Sequence, residues 1–319
     1  MLILTPNPCL DLTVWVERLS LGSVHRTTRN KTSAGGKGIN VARASSALGQ
    51  PGHLILMLPK IQGDLYKSKL DSENLNVSYI DVEGEVRTAI IVNQESHKDI
   101  TVINGLGPEI TVADWQKYCD FVEMQCQKNE LVLLMGSMPP NIPRNGIDLL
   151  AKIIHAKGGK ILVDTSPGSY KAVSNEILDF ITPNLEEAEA LIHGINGNIF
   201  EINNQNIEQR ALKACDEIQG KLAEHVLITA GEYGCAFKNS NERWFLPAFT
   251  IDDINYKSAV GAGDSFVAGF ACYLNSNASN IDWRDCVKFA MATAAASCES
   301  YVAGEIDRFR VEQIYSGKK

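Results

Sequence analysis

From residue 50 onward, short apolar runs alternate with longer stretches in which apolar residues recur at helical spacing. HLILML (53–58), LVLLMG (131–136), KILVDT (160–165), LDFITP (178–183) and HVLITA (225–230) are each bounded by Gly, Pro, Asp or Asn. Near-continuous apolar runs of this length suit strands covered on both faces. Helical periodicity marks 39–49, 111–128, 145–157, 186–193, 208–224 and 283–299. Strands alternating with helices predict βαβ units, and so an α/β fold with a doubly wound, mostly parallel sheet flanked by helices. Ligands of such sheets bind outside the carboxyl ends of the strands.

Two stretches break this rhythm. Residues 2–32 and 77–104 carry alternating patterns (LTVWV, VSYIDV, RTAIIV, DITVI) with little helical periodicity. Alternation predicts strands with one face covered. The expectation is a small β-sheet lid, contributed by about 8–32 and 77–104 and folded back onto a single domain spanning 1–319.

Composition narrows the function classes. In 319 residues, 45% are hydrophobic and 21% charged, ordinary values for a folded chain with a sizeable core. A formal charge of −8 argues against nucleic acid or an anionic membrane as partner. Anionic small molecules stay open, because helix N-termini and a few local cations bind phosphate on an acidic protein. The eight cysteines form no C-x-x-C pair, and the N-terminal MLILTPNPCLDLTVW lacks the basic and small-residue marks of a signal peptide. The expectation is a reduced, cytoplasmic protein.

Four segments carry candidate chemistry. In SAGGKGINVARASSALG (33–49), Gly35, Gly36 and Gly38 stand directly before a helix, where free N–H groups attract anions. Lys37 adds a point charge, and Asn40 can both donate to and accept from a hydroxyl. It is not a P-loop, since Gly38 replaces the Ser or Thr after the lysine. A glycine-rich turn with a solvated lysine explains the segment equally well. In KSAVGAGDSFVAGF (257–270), Gly261, Ala262 and Gly263 lead into Asp264 at the start of an apolar helix. An isolated Asp there is usually a cap; beside free N–H groups it also makes a base next to an anion hole. In TPNLEEAEAL (182–191), Asn184 and Glu187 share a helix face and offer hard oxygens to Mg²⁺, or else form an ordinary N-terminal cap. ITAGEYGCAF (228–237) places two glycines across a strand-to-hairpin turn.

Taken together, TPNPCLDLTV, AGGKGINVAR, RTAIIV, NGLGPEIT, GSMPPNIP, the N-x-x-E element, ITAGEYG and VGAGDSFVAGF resemble the ribokinase-like PfkB carbohydrate kinases over nearly the whole chain. GGKGINVAR with Arg87 is most similar to the branch containing 1-phosphofructokinase and tagatose-6-phosphate kinase. The resemblance implies a ribokinase-like fold and an ATP- and Mg²⁺-dependent transfer to a ketose phosphate, fructose 1-phosphate first, then tagatose 6-phosphate, then fructose 6-phosphate or an unphosphorylated sugar. It implies Asp264 as the catalytic base and Gly261, Ala262 and Gly263 as the anion hole. Asp11, Gly35, Gly36, Asn40 and Ser137 would meet the sugar, while Lys37 and Arg87 would hold its phosphate. Asn184, Thr229, Gly231 and Ser258 would line the nucleotide site, with Glu187 organising Mg²⁺, directly or through water. Ser258-Ala259 and Thr182 depart from the residues usual in the family. Pairing of lids in a homodimer is a further expectation. A non-catalytic sugar-phosphate sensor and a nicotinamide-dependent oxidoreductase are the rival classes; both glycine clusters are incomplete as dinucleotide fingerprints, with Phe266 in place of the third glycine.

Overall fold

The computed structural model describes residues 1–95, 100–195, 205–252, 255–278 and 280–317. In chain order come β1 (Leu2–Thr5), β2 (Cys9–Val16), β3 (Arg29–Gly35), α1 (Lys37–Ala47), β4 (His53–Ile61) and α2 (Gly63–Leu70). Then follow β5 (Asn76–Glu85), β6 (Arg87–Gln94), β7 (Ile100–Asn104), α3 (Val112–Gln125), β8 (Leu131–Met135), α4 (Gly146–Ala156) and β9 (Lys160–Asp164). The remainder holds β10 (Leu178–Ile181), α5 (Leu185–His193), α6 (Ile207–Ile218), β11 (Ala223–Thr229), β12 (Gly234–Lys238), β13 (Arg243–Pro247), α7 (Ala262–Ser276), α8 (Trp283–Ser297) and α9 (Arg308–Ser316).

Nine strands form one sheet in the order β13-β12-β11-β10-β9-β8-β1-β4-β5. Pairing is parallel from β5 through β11, and β12 and β13 close the far edge as an antiparallel hairpin. The five apolar runs read from the sequence are β4, β8, β9, β10 and β11. Each run divides between two cores. Leu2, Leu4, Val132, Leu134, Ile161 and Val163 face α3, α4, α5 and α6, packing with Trp115, Tyr118 and Ile154. Ile3, Leu54, Leu133, Leu162 and Leu227 face α1, α7 and α8, packing with Ile39, Phe266 and Phe270. Coverage on both faces is why the runs show no alternation.

A second sheet, β3-β2-β6-β7, is built from Cys9–Val16, Arg29–Gly35, Arg87–Gln94 and Ile100–Asn104. The expected lid therefore needs a correction. VSYIDV belongs to β5, which pairs in parallel with β4 (Leu54 with Val77, Ile55 with Ser78) at the edge of the large sheet. Within the expected lid segments, residues 96–99 lie outside those described. Residues 2–5, expected to alternate, form β1 inside the large sheet, between β8 and β4. An edge strand is covered less completely than a central one and keeps exposed positions along its length, which is what a lid strand also shows. The helix expected over 208–224 ends at Ile218, where Gly220 takes φ of 76° and the chain turns into β11.

Candidate active site

The carboxyl ends of the central strands bring the singled-out segments to one edge of the large sheet. β9 ends on Asp164, β11 ends on Thr229, β10 leads to Asn184, and the N-termini of α1 and α7 carry Lys37 and Asp264. Three buried hydroxyls without a partner in the structure, on Thr5, Thr165 and Thr182, sit at or just beyond the ends of β1, β9 and β10. Such groups are costly to bury unmatched, so this edge suits a polar ligand.

Asp264 is the third residue of α7 and is 7% exposed. Its Oδ2 accepts a hydrogen bond from Asn40 Nδ2 at 2.7 Å. Burial pushes its pKa up; Lys37 and the Asn40 bond oppose, while the charges of Asp164 and Glu187 add to the rise, leaving it at about 7. A carboxyl so placed takes up and gives back a proton near neutrality. Gly261, before the helix, has φ of 82°, and a Cβ there would lie 2.6 Å from Ala303 Cβ, so only glycine fits. Of the three expected anion-hole residues, Ala262 donates its N–H to Ala259 O at 3.1 Å. That use narrows the hole to its neighbours Gly261 and Gly263, the latter in the first turn where N–H groups lack intrahelical acceptors.

Lys37 Nζ lies 2.5 Å from Asp164 Oδ1 and 3.8 Å from Glu187 Oε1. Burial pulls its pKa down, but Asp164, Glu187 and Asp264 together push it above the ordinary lysine value, so the ammonium stays charged. Glu187 is raised by burial and by Asp164, with Lys37 opposing. Glu187 also completes a capping box with Asn184: Glu187 N–H donates to Asn184 Oδ1 at 2.8 Å, and Asn184 N–H to Glu187 Oε2 at 3.0 Å. The capping alternative is thus realised, and Glu187 Oε1 is the oxygen turned toward the ammonium. Thr229 adjoins Asn184 through an isolated parallel bridge.

A second group gathers where the small sheet meets the large one. Gly35 packs flat on Asp11, whose Cγ would lie 2.1 Å from any Cβ at that position. Cys9 Sγ donates to Asp11 Oδ1 at 3.1 Å. Burial raises the Asp11 carboxyl, while the Cys9 bond and the charges of Arg43 and Arg87 hold it back. Arg87 Nε donates to Asn7 O at 3.1 Å, and Asn7 Nδ2 to Ser137 Oγ at 3.1 Å.

The two cations expected on one phosphate have different immediate neighbours. Arg87 stands with Asn7, Cys9 and Asp11, whereas Lys37 stands with Asp164, Glu187 and Asp264. Asn40, expected on the sugar, has its amide nitrogen on Asp264. Ser258 Oγ accepts from Val260 N–H at 3.1 Å, and Gly231 opens a short turn with φ of 54°. Asp164 was missed from sequence. Its only local mark is an acidic residue ending the apolar run KILV.

A mostly parallel sheet flanked by helices, a second small sheet, and charged and glycine-rich segments gathered at the carboxyl ends of the strands make an α/β fold of the ribokinase type. The chain matches the pfkB family carbohydrate kinases over residues 5–307 and belongs to that family. It is therefore a phosphotransferase with an alcohol group as acceptor, and ATP is its co-substrate. It is 30% identical over 284 residues to a 1-phosphofructokinase of Haloferax volcanii, covering 88% of this chain and 86% of that one. A Staphylococcus epidermidis tagatose-6-phosphate kinase is 24% identical, covering 98% and 97%. Among solved structures, Escherichia coli phosphofructokinase-2 in complex with potassium superimposes with a TM-score of 0.84 at 21% identity, covering 99% and 98% of the two chains. A Thermotoga maritima ribokinase gives 0.70 at 21%, covering 99% of both. No described helix is long and apolar enough to cross a membrane.

Proposed function

We propose that this enzyme phosphorylates a ketose phosphate, fructose 1-phosphate to fructose 1,6-bisphosphate, with Asp264 as the base. The observation that carries the reading is the Asp264 carboxyl, buried at the start of α7 with a pKa of about 7 and one oxygen on Asn40. Asp264 takes the proton of the sugar hydroxyl as that oxygen bonds to the γ-phosphorus, and ADP departs with the electrons of the broken P–O bond. First-turn N–H groups of α7 around Gly261 and Gly263 face the charge that develops. Lys37 sits on the Asp264 side, which supports giving it the transferring phosphoryl group. The substrate's own phosphate falls to Arg87, which is suited to bidentate contact. Asp11, with Gly35 and Gly36 beneath it, binds sugar hydroxyls, and Ser137 adds a polar contact through Asn7.

Mg²⁺ arrives with the nucleotide. No cluster of three or more His, Cys, Asp or Glu arranged for a metal occurs among the described residues. The ion is assigned mainly to phosphate oxygens, with Glu187 reaching it through water. Asn184, Thr229, Gly231 and Ser258 remain the nucleotide-side assignments. The small sheet acts as a lid, and its exposed Ile103 with nearby Leu106 supports pairing in a homodimer; a strictly monomeric species at micromolar concentration contradicts that pairing. Eight buried free cysteines accord with a reducing, cytoplasmic setting.

Tagatose 6-phosphate is the second reading, favoured by the tagatose-6-phosphate kinase relatives. The test is ADP release with Mg-ATP against fructose 1-phosphate, tagatose 6-phosphate, fructose 6-phosphate and the free sugars. Selective turnover of fructose 1-phosphate is expected. Turnover of free sugars alone overturns the Arg87 assignment, and silence with ATP bound overturns the ketose-phosphate reading in favour of a sensor or of a substrate outside the panel.

A further inference from the structure

Asn40 is buried, and both ends of its amide are engaged. Nδ2 donates to Asp264 Oδ2, while Oδ1 accepts from Arg43 Nη1 at 2.9 Å. An amide can present either end with little change of shape, so something must choose. An ionised Asp264 only accepts and selects the NH₂ end, but a protonated one can also donate to the oxygen; Arg43 holds the choice in both states, because a guanidinium only donates and can face only the amide oxygen. It lies three residues after Asn40 on α1, one turn along the same face.

Arg43 is itself fixed from several sides. Its Nε and Nη2 meet Glu73 Oε2 and Oε1 at 2.5 and 2.7 Å, a two-point carboxylate contact that sets the plane of the guanidinium. Nη2 also donates to Ala34 O at 2.9 Å, and Nη1 reaches Ala303 O at 3.4 Å. Glu73 comes from the turn at 71–73, 30 residues along the chain and outside the glycine clusters. We propose that Arg43, held by Glu73, is a positioning residue that fixes the Asn40 amide with its NH₂ toward the Asp264 carboxylate. The inference rests on Asp264 being the base.

Its consequence is a pH profile. With Arg43 removed, the amide is free to turn its oxygen toward a protonated Asp264 and accept its O–H, a bond that favours the neutral carboxyl and so raises its pKa. The other groups facing Asp264 stay in place: Lys37 from α1, Asp164 from the end of β9, Glu187 from α5 and the Cys9 thiol from β2. The acid limb of activity therefore moves to higher pH.

The test is kcat/KM for the sugar substrate against pH at saturating Mg-ATP, in wild type, Arg43→Met and Glu73→Ala. Substrate ionisation is common to all three and cancels in the ratio to wild type. For a limb raised by about one pH unit, Arg43→Met loses about tenfold at about pH 6 and stays within about twofold at about pH 9. Glu73→Ala moves the limb the same way by a smaller step. Equal loss at both pH values, with the limb unmoved, overturns the proposal. If Arg43→Met does not fold, the folded Glu73→Ala decides, and an unmoved limb there overturns it. A wild type with no acid limb overturns the base assignment and this inference together; a wild-type limb that neither variant moves overturns the inference alone.

Discussion

Lys37 and Asp164, 127 positions apart, meet nitrogen to oxygen at 2.5 Å beneath the N-terminus of α7. The pair sets the charge around Asp264: Lys37 favours the ionised carboxylate, and Asp164 opposes it.

Asp164→Asn removes a like charge from the neighbourhood of Asp264 and frees the ammonium. The Asp264 pKa falls, so the acid limb of kcat/KM moves to lower pH. Lys37→Met does the reverse, raising the limb and lowering the plateau by about a hundredfold or more, as expected for loss of a charge that stabilises the transferring group. Limbs that move together in both variants contradict this arrangement.

Gly35→Ala places a methyl where the Asp11 carboxyl lies, 2.1 Å from its Cγ. The carboxyl has to move, and a displacement of that order costs about a hundredfold in kcat/KM for the sugar. The KM for ATP stays near wild type. Arg87→Ala shows the same selectivity, weakening phosphorylated sugars far more than ATP; equal losses for both ligands refute the assignment of Arg87 to the substrate phosphate.

Asp148 is as buried as Asp264 but serves the fold. It is 1% exposed and accepts from the N–H groups of Ser174, Asn175 and Glu176 and from Ser174 Oγ at 2.7 Å. Asp148→Ala strands these donors at a cost of about 2–4 kcal/mol. Thermal unfolding should show a Tm several degrees lower, with kcat and KM per folded molecule unchanged.

Asp264 also links stability to pH. Its folded pKa of about 7 lies above the unfolded 3.8, so the folded state holds the proton more tightly. The stability this group contributes is fully present below 3.8 and is lost as pH rises through 7. Asp264→Asn carries no charge, so its Tm should exceed that of wild type at about pH 8, and the gap should shrink toward about pH 4. An Asn variant less stable at the higher pH, relative to wild type, contradicts the raised pKa.

Much of the fold was legible because β4, β8, β9, β10 and β11 are covered on both faces and so appear as uninterrupted apolar runs. β5 was misread for a related reason: an edge strand leaves positions exposed along its length, and sequence does not say which sheet it joins. Among the residues the structure brings together, Asp264, Lys37 and Asn40 were singled out because glycines flank them locally. Asp164 and the Arg43–Glu73 pair were not, since their contacts close across 127 and 30 residues and leave no local spacing. The different neighbours of Lys37 and Arg87 were hidden likewise, both being cations near glycine-rich or strand segments until the two sheets are placed.

The central claim is that Asp264 takes the hydroxyl proton during phosphoryl transfer, and Asp264→Asn tests it most directly. Initial rates of ADP release and the Kd for Mg-ATP are measured side by side at about pH 8. The account predicts a fall in kcat of about a thousandfold, within the range of about 10²–10⁴ for loss of a general base, with nucleotide affinity within about twofold of wild type. A variant that keeps kcat within about threefold of wild type would show that the proton leaves by another route.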